Sequence, residues 1–161
     1  MPEQSDGIDF AVAAIRQDGR WQVSRIAATA CESVDTLTHA LRRLDADGGA
    51  LGMIAVDEDF FVLVRVSGSG ARVLLSDVTA ADEWELAQSA IDFLGLPAHE
   101  DDGDPVPAGD LDILGDLGLP AADMGALLDE ADLYPDEMLS DVARRLGFGE
   151  LFDDAIGLTT A

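Results

Sequence analysis

LGMIAVDEDFFVLVRVSGSGARVLLSDV, residues 51–78, decides the fold. Met53, Ile54 and Val56 favour a strand, the acidic triplet Asp57-Glu58-Asp59 interrupts it, and residues 60–66 then run almost wholly apolar. An unbroken apolar run of strand length means burial on both faces of a sheet, because a half-exposed strand would alternate with polar residues. Ser67-Gly68-Ser69-Gly70 supplies the conformational freedom of a tight hairpin, and Val73, Leu74 and Leu75 resume the pattern. Three consecutive strands are therefore expected, with the middle one the most buried.

Upstream, Phe10, Val12 and Ile15 lie among alanines over residues 8–17, Asp18-Gly19 is a hairpin dipeptide, and Trp21 and Val23 alternate over residues 20–26. Ser33 is placed to cap a helix whose apolar stripe is Val34, Leu37, Leu41 and Leu44, ended by Asp47-Gly48-Gly49. Downstream, Thr79 and Asp82 have the spacing of a capping box. Trp84, Ala87, Ile91 and Leu94 form the next stripe, with Glu83 and Glu85 in the acidic first turn, and Gly95 and Pro97 stop it. The order β-β-α-β-β-β-α predicts an α+β fold with a five-stranded antiparallel sheet, the arrangement of longin-like and roadblock-like domains. Shared topology carries no function by itself. Such domains commonly act as binding or dimerising modules.

Composition changes after residue 97. Residues 98–109, AHEDDGDPVPAG, hold acids, prolines and glycines with little to bury, and form a linker between a sheet domain of residues 1–97 and a helical segment of residues 110–161. That segment is patterned. Leu111, Leu114 and Leu117 recur every third residue, Met124, Leu127, Leu128 and Ala131 fit one helical face, and Pro135 opens a helix striped by Leu139, Val142, Ala143 and Leu146. Arg144 and Arg145 stand in its last turn, complementing the helix C-terminus or pairing internally, before Gly147; Leu151, Phe152 and Ile156 indicate a final short helix.

Charge restricts the partners. The 161 residues carry a net charge of -24, and from residue 98 onward 17 acidic residues face only 2 basic ones. Nucleic-acid affinity rests on Lys and Arg displacing counterions, so direct binding to RNA, DNA or an anionic membrane is not expected. There is no leader pattern and no apolar stretch approaching the ~20 residues of a membrane span, so a soluble cytoplasmic protein is expected. Every basic side chain other than histidine is an arginine.

Several chemistries are unsupported. A zinc deaminase needs a His/Cys ligand set beside a Glu, whereas this chain has one cysteine, Cys31, and two distant histidines, His39 and His99. HExxH, phosphate-loop and nucleophile-elbow motifs are missing. Two acidic runs, beginning at Asp45 and Glu100, resemble calcium loops, but position twelve would fall on Val56 and Leu111. They read as charged loops. Cys31, followed by Glu32, which would raise its pKa, reads as a small buried residue, Trp21 and Trp84 as core anchors, and His39 as a boundary or core residue. No catalytic residue, cofactor or metal is assigned.

VLLSDVTAADEWELAQSAIDFLG (residues 73–95) and DEMLSDVARRLGFGELFDD (residues 136–154), joined by the acidic linker, resemble the tRNA adenosine deaminase-associated proteins of high-GC bacteria. The resemblance spans about residues 10–152 and implies a protein whose gene lies beside that of the deaminase. It carries no active-site residues. The expected function is a non-catalytic acidic interaction protein that binds or regulates a tRNA adenosine deaminase, with Asp110, Asp112, Asp116, Asp129, Glu130 and Asp132 as partner-binding candidates. The alternative for these carboxylates is a solvated face that promotes solubility. Two other functions stand beside it. One is a self-associating scaffold that forms a homodimer through a sheet edge or the first helix; the other is a small-molecule-binding domain with a pocket between sheet and tail.

Overall fold

The computed structural model describes residues 8–17, 19–26, 31–44, 49–56, 60–67, 70–82, 84–95, 107–130 and 133–156. Asp18, the Asp45 run, Asp57-Glu58-Asp59, Gly68-Ser69, Glu83, Pro97, most of the linker with the Glu100 run and His99, Ala131 and Asp132 lie outside the described residues.

Strands β1 (Ile8–Gln17) and β2 (Arg20–Arg25) form the first hairpin, with Gly19 at φ 76° in the turn. Helix α1 (Val34–Arg42) follows, its first turn capped by the Ser33 hydroxyl, which accepts from Thr36 N at 3.2 Å. Strands β3 (Ala50–Val56), β4 (Phe60–Ser67) and β5 (Gly70–Leu75) form the meander. The middle strand shares its burial with β3. Every residue of β3 is buried, including Gly52, against which Leu41 of α1 packs closely.

Helix α2 (Glu85–Leu94) ends at Gly95, at φ 71°. Its start differs from expectation. Residues Val78–Asp82 form a 3-10 turn in which Thr79 donates from N and Oγ1 to Asp77 Oδ1, at 2.9 and 2.6 Å. The helix itself begins after Trp84 without a side-chain cap. The local hydrogen bonds of an Asx turn compete with a capping box, and here they prevail.

Among the described residues the sheet has six strands rather than five, in the order β2-β1-β3-β4-β5-β6, all antiparallel. The added strand, β6 (Ala108–Gly109), pairs with Leu75 and Leu74 of β5. A two-residue strand shows no periodicity. It is held because Gly109 adopts φ 115° and its Cα lies so near Val73 that a Cβ would sit 2.2 Å from the carbonyl oxygen. The strand order alone does not establish the longin- or roadblock-like arrangement.

Helices cover both faces, which is why β3 and β4 carry no polar alternation. On one face α1 and α2 enclose Ala13, Ile54, Val62, Val64, Val73 and Leu75. On the other, Val12, Met53, Phe61, Leu63 and Leu74 meet the C-terminal helices. These are α3 (Ala121–Leu128), α4 (Pro135–Leu146) and α5 (Gly149–Ile156). Phe152 packs edge-on against Phe10, with ring centroids 5.3 Å apart, and Trp21 lies 4.7 Å from Phe148. The acidic segment is thus a layer of the core. Among the described residues no helix is long and apolar enough to cross a membrane.

Candidate functional site

The six carboxylates singled out by charge fall into separate settings. Asp110, Asp112 and Asp116 come together beside the meander, on the turn that leads from β6 into a 3-10 turn at Gly115–Leu117. Arg72 of β5 donates from Nε to Asp110 Oδ2 at 2.5 Å and from Nη2 to the Asp112 carbonyl at 3.1 Å. Asp110 Oδ1 accepts from Asp112 N at 2.9 Å. Arg65 of β4 is only 9% exposed. Its guanidinium pairs with both oxygens of Asp116 and donates to the Ile113 carbonyl at 2.9 Å. That guanidinium holds the Asp116 carboxyl below the usual carboxylate range, chiefly through its hydrogen bonds. Asp110 and Asp116 are therefore engaged internally, as pins between sheet and acidic segment. The Asp112 carboxylate is exposed and lies over Gly115.

Asp129 and Glu130 stand elsewhere, exposed at the C-terminal end of α3. Glu130 lines a groove of about 470 Å³ between α3 and α4. Its apolar wall is Ala126, Leu127 and Leu133, and its acidic wall includes Asp136, Glu137 and Asp141. Pro135 fixes the start of α4, so Asp136 and Glu137 project from its first turn, where carboxylates complement the helix dipole. Glu137 Oε1 accepts from Tyr134 N at 2.9 Å. Asp136 Oδ1 is buried and has no hydrogen-bond partner among the described residues. At the far end Asp141 accepts from Arg144 at 2.9 Å and from Arg145 at 2.8 Å, so the arginine pair is tied within its own helix.

Charge counting singled out Glu130 but not Asp136, Glu137 or the exposed Tyr134, which is 57% accessible. A usable signal was present: α3 ends in Asp129-Glu130 with no basic residue in its last turn. Carboxylates at a helix C-terminus oppose its dipole, so this pattern asks for a cation.

A second depression, about 750 Å³, lies between α1 and the β1-β2 hairpin, floored by Ala13 and Ile26 and bordered by His39 and Arg43. His39 is exposed on α1 rather than part of its buried stripe. The interface between sheet and C-terminal helices is filled by the side chains of the second core. Cys31 is buried, and desolvation, rather than Glu32, pushes its thiol up to about 12. No group of three or more His, Cys, Asp or Glu residues able to hold a metal ion occurs among the described residues. Trp21 and Trp84 are half-buried, the latter 6.2 Å from the Phe60 ring.

The chain is 43% identical over 144 residues to Protein Rv3753c of Mycobacterium tuberculosis, an alignment spanning 88% of this chain and 83% of that protein. No solved structure matches it significantly. Residues 9–149 match the family described as Rv3753c-like tRNA adenosine deaminase-associated protein. With the match covering most of the chain, the protein belongs to the Rv3753c-like tRNA adenosine deaminase-associated family.

Proposed function

We propose that the protein is a non-catalytic acidic partner that binds and regulates a tRNA adenosine deaminase. The family description associates it with that enzyme. The observation that carries the reading further is electrostatic: a chain of net charge -24 ties several arginines to its own aspartates and leaves carboxylates outward on the C-terminal helices. An enzyme that grips tRNA presents basic surface, and opposite potentials accelerate association and select partners. On this view the acidic layer competes with tRNA for the enzyme, and the protein itself does not bind nucleic acid.

Size-exclusion chromatography with light scattering tests this, using the protein and its own organism's deaminase at low and raised salt, with and without tRNA. A stoichiometric complex that weakens with salt and yields to tRNA is expected. No co-elution under any condition would remove the direct-binding reading. A second reading is a longin- or roadblock-like self-associating scaffold, favoured by the outer edge of β2, which pairs with no strand among the described residues. A salt-insensitive dimer of the protein alone would support it.

A further inference from the structure

Resting on the partner reading above, we propose that the α3–α4 groove is the docking site for an arginine-bearing amphipathic helix on the basic face of the partner. Leu127 and Leu133 give the groove an apolar wall, and Glu130, Asp136 and Glu137 give it a dense acidic one. That combination fits a helix presenting apolar and cationic side chains at neighbouring turns.

Three independent features call for a cation at one end. The last turn of α3 has no basic residue, and Asp129 and Glu130 add negative charge where the helix dipole is already negative. Asp136 Oδ1 is enclosed without a hydrogen-bond donor among the described residues, which leaves one carboxylate oxygen free to accept. Tyr134, exposed beside Leu133, offers an aromatic face, to which guanidinium groups are drawn. Arginine fits better than lysine because its planar fork matches carboxylates in pairs. The Arg144 and Arg145 end repels cations, so the occupant lies with its arginine toward Glu130 and Asp136.

The test compares two variants with equal charge change in the full-length protein: E130Q/D136N/E137Q in the groove, and E32Q/D92N/D154N on exposed positions elsewhere. Circular dichroism and melting establish that both are folded. Binding to the deaminase is measured at physiological salt, in parallel with a synthetic arginine–leucine amphipathic peptide. The groove variant should lose about tenfold or more in affinity for both, the control about threefold or less, and L133A should weaken binding with its charge unchanged. Equal losses in the two triple variants, or none in the groove variant, would overturn the groove while leaving the partner reading intact. If the wild-type protein fails to bind the deaminase, the partner reading falls. The peptide then decides the groove on its own: a loss confined to the groove variant supports it, and any other pattern overturns it.

Discussion

Arg65→Met separates the charge of the buried arginine from its packing. Arg65 lies on β4 in the face covered by the C-terminal helices, is 9% exposed, and bonds the Ile113 carbonyl and the Asp116 carboxylate. Methionine keeps the apolar stem and removes the donors. A carbonyl bond to a charged donor is lost inside the fold, leaving an unpaired acceptor, at a cost of about 2 kcal/mol. The ion pair adds little, because the Asp116 side chain is 61% exposed and solvent screens it, so its share is about 0.5 kcal/mol. Relief of the guanidinium's own desolvation works the other way and offsets part of this. The net expectation is a loss of about 2 kcal/mol, which for a chain of this size lowers Tm by about 6 °C. Differential scanning calorimetry and urea unfolding measure it, with D116N as a companion expected to lose less, about 0.5 kcal/mol. An R65M protein as stable as the wild type, or more so, would refute the pinning role and place Arg65 among buried ions whose desolvation exceeds their gain.

Asp116 has a folded-state pKa below its unfolded value, so its contribution is present above the usual carboxylate pKa of about 3.9 and fades as pH falls through the lowered folded value. Melting temperature against pH should show D116N slightly below the wild type near neutrality, where the carboxylate contributes, with the gap closing as pH falls below about 4. Gly109→Ala forces a Cβ against the Val73 carbonyl at φ 115°, and should cost about 3 kcal/mol in urea unfolding by detaching β6. Phe152→Ala empties a fully buried site against Phe10 and should cost about 4 kcal/mol; a loss under about 1 kcal/mol would mean that α5 is an appendage.

Much of the fold was legible because its signals are local. Ser33 caps α1, Pro135 opens α4, and Gly95 and Gly147 end helices at φ 71° and 104°. The apolar run of residues 60–66 announced two covered faces. What escaped was decided by contacts distant in sequence. The Ala108–Gly109 strand exists only because β5 is there to receive it. Gly52 and Ala55 have low strand propensity, yet β3 keeps them buried, Gly52 closely under Leu41 of α1 and Ala55 under the C-terminal layer. Ile113 falls outside the Leu111, Leu114 and Leu117 repeat, yet it is fully buried and supplies the carbonyl that Arg65 binds.

The candidate site was less legible, because counting charge cannot tell a carboxylate that faces a partner from one that faces its own arginine. A single arginine inside an otherwise apolar strand is a missed indicator. Arg65, flanked by Val64 and Val66, must find an acceptor within the fold, since an unpaired buried guanidinium is unstable. The first acidic segment after the sheet supplies it, which ties Asp110 and Asp116 to structure before any partner arrives. Among the described residues no sheet arginine pairs with the acidic end of the α3–α4 groove, where Asp129 and Glu130 face a helix dipole of the same sign. Within one acidic layer, then, the carboxylates that hold it to the sheet and those left to attract a cation are distinguished by whether an arginine of the meander reaches them.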